Sequence, residues 1–358
     1  MTRARLSYGL LTSQNQGGDK KQGLPPSVGK GHFIFNIIKR KAWPTEKEDD
    51  TDDYVHFVAI AYSGTGNRVM SSPDGFTWTT RASAADNYWS SVTYAGGLFV
   101  AVAYSGTGNR VMSSPDGINW TTRASADDNA WNSVTHGTVG GNELFVAVAY
   151  LGTNQVMTSP NGIDWTARVE AENNLWTSVT YGNVFGAPVT FFVAVAKSGT
   201  NRVMTSPDGT TWTSRTAADA NSWNSVTYGI GTGNVRFVAV ALDGTQRVMT
   251  SPDGANWTGR TAAAANSWYS VTYGDGLFVA VATDGAQRVM TSPDGINWTG
   301  RTAATNNEWT SVTYGDGLFV AVASTGTGNR VMSSPDGITW TSRASANDNN
   351  WYGVTYRP

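Results

Sequence analysis

The 358-residue chain contains no cysteine and only three histidines. Without cysteine there is no disulfide, no thiol nucleophile and no thiolate metal site. His32, His56 and His136 are too scattered for a paired-histidine metal site or a Ser-His-Asp grouping, so neither a metal nor a cofactor is expected. Charge is sparse as well: 15% of residues are charged and the formal net charge is −2. That balance offers no basic footprint, so nucleic acid is not an expected partner. No apolar run approaches the roughly 18 residues of a membrane span. Met1–Ser13 lacks the apolar core of a secretory signal, so no secretory route is read and localisation stays open. Glutamate is scarce too, with only Glu143, Glu170, Glu172 and Glu308 beyond residue 54.

What the chain does have is repetition. The unit Thr291-Ser-Pro-Asp-Gly-Ile-Asn-Trp-Thr299 occurs in seven versions, with prolines at 73, 115, 160, 207, 252, 293 and 335. The steps of 41–47 residues between them mark a solenoid, propeller or array. Pro-Asp-Gly between two β-prone runs is a hairpin turn. Proline pre-sets φ, aspartate bonds backbone two residues on, and glycine takes the positive φ. In the third copy Asn161 replaces the aspartate. Asparagine makes the same local bond but would not replace a metal ligand or a catalytic carboxylate, so the motif reads as a structural turn.

Each repeat carries four short runs. In the last full one these are Trp309-Thr-Ser-Val-Thr-Tyr314, Leu318-Phe-Val-Ala-Val-Ala323, Arg330-Val-Met-Ser-Ser334 and Trp340-Thr-Ser-Arg343. The second is continuously apolar, as in a strand buried on both faces. Four strands per period is the blade of a propeller. The first repeat begins at its second strand, and the chain ends in an orphan first strand, Trp351–Tyr356. Supplying that strand to the first repeat closes the ring and removes an open edge. The expectation is an all-β fold: a seven-bladed β-propeller of four-stranded blades over 55–358, closed by its C-terminal strand. Residues 1–54 differ. Gln14–Lys30 is rich in glycine, proline and polar residues, and Glu46–Asp53 is an acidic run, so this segment reads as an extended arm and linker.

Fourteen of the fifteen tryptophans form pairs eleven residues apart, from Trp78/Trp89 to Trp340/Trp351. The second members are Trp89, Trp131, Trp176, Trp223, Trp268, Trp309 and Trp351. Two residues before each lies an asparagine: Asn87, Asn129, Asn174, Asn221, Asn266, Asn307 and Asn349. An arginine joins them on the same face in six copies: Arg68, Arg110, Arg202, Arg247, Arg288 and Arg330, with Gln155 in the third. This connection keeps its length, whereas the spacing from the second tryptophan to the next phenylalanine runs 10, 14, 16, 14, 10 and 10. One face is therefore constrained and the other takes insertions. Two readings fit the constrained face. Arginine, asparagine and an indole together suit a sugar. The same residues also serve as loop caps and inter-blade packing, where burying an indole is worth about 5 kcal/mol before costs.

The Ser-Pro-Asp-Gly-x-x-Trp turn resembles the Asp-box (BNR) turn of sialidase-type β-propellers, one residue shorter than Ser-x-Asp-x-Gly-x-x-Trp. The resemblance runs from Val55 to the C-terminus and implies the architecture rather than an activity, because such turns occur in enzymes, lectins and assembly factors alike. Sialidase catalysis needs an arginine triad, a tyrosine–glutamate pair and an acid on unlike blades. Here the arginines are repeat-encoded and glutamate is scarce, so no enzyme is expected. Glu170 and Glu172 share a loop and are the residual two-carboxylate candidate for a glycoside hydrolase. Within the arm, Gln16–Pro25 resembles openings of structural proteins of large algal DNA viruses. The expected function is a non-catalytic interaction propeller, tethered to other protein chains through residues 14–42 in a larger assembly such as a virion. The alternative is a multivalent lectin with glycans as partners.

Overall fold

A computed structural model describes residues 54–184, 189–231 and 237–358. The arm expected over 1–54 lies outside the described residues except for Tyr54. The described residues form twenty-eight strands in seven four-stranded antiparallel sheets. These are the seven blades read from the repeats. Inner strands are Trp89–Ala95, Trp131–Val139, Trp176–Asn183, Trp223–Tyr228, Trp268–Gly274, Trp309–Gly315 and Trp351–Tyr356. Each neighbours the inner strand of the blades on both sides, and the last neighbours the first, so they form a closed ring about a central channel.

Closure follows the expectation. Trp351–Tyr356 pairs with Phe57–Ala61, which continues into Val69–Ser72 and Thr79–Arg81 to complete blade 1. The register sets Phe57 opposite Tyr356 and Ile60 opposite Gly353.

The second strands explain their uninterrupted apolar sequence. In Phe99-Val-Ala-Val-Ala103 every residue is fully buried, because a different blade covers each face. Phe99, Ala101 and Ala103 pack with Met112, Trp89 and Val92 of their own blade against Val58, Ile60 and Val69 of the preceding one. The alternation is period two, with both faces buried. Small alanines leave room for the tryptophan of the inner strand.

The Pro-Asp-Gly unit folds as read. Asp74 Oδ1 accepts the backbone N–H of Phe76 and of Thr77, both at 2.8 Å, and Gly75 N donates to Ser72 Oγ at 2.8 Å. Gly75 has φ 75°, and a Cβ there would sit 2.7 Å from Leu318 of the neighbouring blade, so both conformation and space require glycine. In the third copy Asn161 Oδ1 accepts Ile163 N and Asp164 N at 2.9 and 3.0 Å, which preserves the turn. The outer strands are three residues long and largely exposed, which keeps the blade edges short. Each is tied inward by its arginine, as Arg81 Nε donates to Ser71 Oγ at 2.8 Å.

Candidate binding site at the mouth of the central channel

The repeated tryptophan, asparagine and arginine of the constrained face are committed internally. All seven second-member indoles are 0% exposed. Each donates its Nε1–H to a backbone carbonyl four residues back, as Trp268 does to Ala264 O at 3.0 Å. An indole with no exposed face has no surface on which to stack a sugar. The seven asparagines are buried, and each Nδ2 donates to a backbone carbonyl in the next blade's turn at 2.5–2.8 Å. That geometry is the loop-capping and packing alternative. Glu170 and Glu172 are also engaged: Glu170 Oε2 accepts Gln155 N at 2.8 Å, and Glu172 Oε1 accepts Asn201 Nδ2 at 2.6 Å. Hydrogen bonding from Asn201 pulls the Glu172 pKa down, opposite to what a general acid requires.

The six arginines reveal what the scaffold holds. Each donates a guanidinium N–H, at 2.7–3.0 Å, to the carbonyl of the residue that follows the second strand. The acceptors are Tyr62, Tyr104, Lys197, Leu242, Thr283 and Ser324, while Tyr150 holds this place in blade 3, beside Gln155. The N–H of the same residue donates to the carbonyl of the residue before the inner-strand tryptophan, as Tyr104 N does to Tyr88 O at 2.8 Å. Two backbone positions are thus pinned by repeated parts in six blades, and in blade 3 by the backbone bond alone.

A third is set by a bulge. In every blade the inner strand shifts register just after its tryptophan, so Trp89 faces Ala103 and Ser91 faces Val102. The residue between has no partner. It is Ser90, Asn132, Thr177, Asn224, Tyr269, Thr310 or Tyr352, and each lines the channel. A bulge re-aims one side chain out of the sheet. All three positions differ from blade to blade while their backbones do not.

The seven bulge residues, with Tyr62, Tyr104, Tyr150 and Lys197 from the position after the second strand, line a cavity of about 350 Å³ at the channel mouth. Its walls are unlike around the ring. Tyr62 and Tyr352 stack with ring centres 3.9 Å apart at 11°, Tyr88 stacks on Tyr62 at 5.8 Å, and Tyr269 meets Tyr352 edge-on at 6.2 Å. Tyr104 and Tyr150 follow at 6.1 Å, and Lys197 Nζ lies 5.7 Å from the Tyr150 ring centre. Beyond the cavity lining, blades 5 and 6 carry Asp243 and Asp284, whose carboxylates are held by the N–H and hydroxyl of Ser222 and Ser267 at 2.6–2.8 Å. Burial, with the neighbouring tyrosines, pushes the phenol pKa values of Tyr62 and Tyr269 up, so both stay neutral hydrogen-bond donors. Tyr88 and Leu151 stand on the rim, 48% and 49% exposed.

Of these three positions, the one before the tryptophan (Tyr88, Ala130, Leu175, Ser222, Ser267, Glu308 and Asn350) shows its variation in the sequence beside the fixed Asn-x-Trp motif. The signal for the others was available in the repeats, by aligning the seven copies and asking where they differ. No helix among the described residues is long and apolar enough to cross a membrane.

No protein-family model and no curated protein sequence matches the chain. Solved structures do match it. YCF48 from Cyanidioschyzon merolae is 14% identical with a TM-score of 0.50, over 75% of this chain and 92% of that one. A structure of YCF48 bound to D1 peptide is 15% identical with a TM-score of 0.50, over 75% and 88%. At these identities the likeness is one of fold.

Proposed function

We propose that this chain is a non-catalytic interaction propeller that holds a segment of a partner protein in the mouth of its central channel. The observation that carries the reading is a constant backbone presenting changing side chains. Buried asparagines and tryptophans and backbone-bonded arginines repeat around the ring as scaffold, and the positions they fix carry tyrosine, lysine, leucine, serine or acid according to the blade. Concentrated tyrosines with an exposed aromatic and aliphatic rim are the composition of protein-binding surfaces. The fold has a precedent for holding a peptide in YCF48, which was solved bound to a D1 peptide. The Asp-box-like turns are scaffold in this reading. Residues 14–42, outside the described residues, are proposed as the tether to a larger assembly, with a virion as one such assembly.

The test is selection of a displayed random-peptide library on the full chain. Selected peptides are expected to bind the wild type and to lose binding at least tenfold on Tyr62→Ala with Tyr352→Ala, at unchanged circular dichroism. A glycan array on the same protein is expected to stay blank. Peptides that bind the double variant equally well would place recognition elsewhere. An array signal that survives in that variant would favour a lectin instead.

A further inference from the structure

Among the described residues Lys197 is the one lysine lining the mouth, and its position is unusual. It follows the second strand of blade 4, where the other blades carry tyrosine, leucine, threonine or serine. It is half-buried, and among the described residues no carboxylate lies within 4.0 Å of its ammonium. The carboxylate whose charge acts on it, Asp243 of the next blade, has both oxygens occupied by Ser222 at 2.7 Å. Burial lowers the Lys197 pKa and Asp243 only partly opposes it. An ammonium withdrawn from water without a counter-ion is costly unless something supplies one. No carboxylate is among the residues that line the cavity, and it opens to solvent.

The remainder of the wall is aromatic. Tyr150 lies beside Lys197, and the stacked pair Tyr62 and Tyr352 faces it across the channel from blade 1. Burial, and then the charge of Glu308 on blade 7, raises the Tyr352 pKa. A cavity of about 350 Å³ admits one large residue and its backbone rather than a folded element.

Accepting the mouth as the partner site, we infer that it recognises a carboxylate joined to an aromatic group, with the carboxylate on Lys197 and the ring against the tyrosines. The carboxylate is the chain terminus of the partner segment or an acidic side chain next to its aromatic residue. Pairing restores the counter-ion that the fold withholds, and the aromatic wall excludes water around the pair, which strengthens it.

The test uses small probes on the full chain, followed by ligand-observed NMR and calorimetry. N-acetyltryptophan carries both groups, N-acetyltryptophanamide lacks the charge, and N-acetyl-Trp-Glu-amide moves the carboxylate to a side chain. At least one acid is expected to bind tenfold or more tighter than the neutral amide, a difference of about 1.4 kcal/mol. Whichever acid is preferred names the source of the carboxylate. Lys197→Met, which keeps the aliphatic stem, is expected to abolish that preference, and Lys197→Arg to retain most of it. The acid–amide comparison on the wild type needs no variant to fold. Equal binding of acids and amide, lost on Tyr352→Ala, overturns the carboxylate assignment and leaves the mouth as the site. Binding that neither variant changes overturns both, and no binding of any probe overturns the carboxylate–aromatic pocket.

Discussion

Ring closure contains a seam that can be tested by restoring the repeat. In six blades a serine two residues after the inner-strand tryptophan accepts the backbone N–H of a valine in the next blade, at 3.1–3.2 Å. The seventh position is Gly353, so no serine faces Val92 across the junction between blades 1 and 2. Opposite that glycine lies Ile60, where the other six blades have valine. A Cβ on Gly353 would come within 3.1 Å of Ile60 Cγ1 and 3.3 Å of its Cδ1. The isoleucine has grown into the space the serine gave up.

The single changes should therefore each disappoint. Ile60→Val removes one buried methyl and costs about 0.5–1.5 kcal/mol. Gly353→Ser gains a hydrogen bond of about 0.5–1.5 kcal/mol and about 0.4–1 kcal/mol of unfolded-state entropy. Against those gains stands overpacking on Ile60, about 1–3 kcal/mol, leaving it near neutral or destabilised. The double variant recreates the serine–valine pair that the other six blades accommodate. It is expected to exceed the wild type by about 1 kcal/mol, with a coupling of about 1–2 kcal/mol between the two sites. Thermal melts of all four proteins at one scan rate measure this, 1 kcal/mol being roughly 2 °C in a domain of this size. Additive shifts, or a double variant less stable than the wild type, would refute the seam.

Trp268→Ala opens a cavity at a fully buried site and is expected to cost roughly 3–5 kcal/mol; an unchanged melting temperature would contradict the packing role. Gln155 is 1% exposed and neither end of its amide has a partner among the described residues, so Gln155→Arg is expected to raise stability by about 1–3 kcal/mol. A lower melting temperature would show that blade 3 cannot take the guanidinium that its six counterparts hold. Partial burial pushes the turn carboxyls of Asp116, Asp208 and Asp294 up, but the donated hydrogen bonds outweigh it and leave each at about 2, against 3.8 ordinarily. The stability they contribute is complete above pH 3.8 and is lost as pH falls towards 2, and Asp116→Asn is expected to fold normally with a shallower acid transition. An acid titration that this substitution leaves unaltered would refute that assignment. Removing Trp351–Pro358 leaves Phe57–Ala61 as an open apolar edge, and association in sedimentation with a lower melting temperature is the expected result.

The sequence by itself determined the architecture, because its signals are local and repeated seven times. Pro-Asp-Gly specifies a turn wherever it stands, a run such as Phe-Val-Ala-Val-Ala suits only a strand covered on both faces, and the orphan Trp351–Tyr356 has one vacancy to fill. Even the Asn161 exception was legible, since the amide keeps the bonds that define the turn. The roles of the repeated polar residues were not. Arginine, asparagine and tryptophan at fixed spacing describe a sugar site and a buried brace equally well, and only burial separates them. That separation depends on what the adjacent blade covers, which no spacing within one repeat encodes. The mouth was hidden for the same reason. A one-residue bulge after each inner tryptophan turns the next side chain into the channel, and residues from seven distant stretches become neighbours only when the ring closes. Tyr62 and Tyr352 are 290 positions apart in the chain and 3.9 Å apart at their ring centres. Their contact is made by closure, a property of the whole ring and of no single repeat.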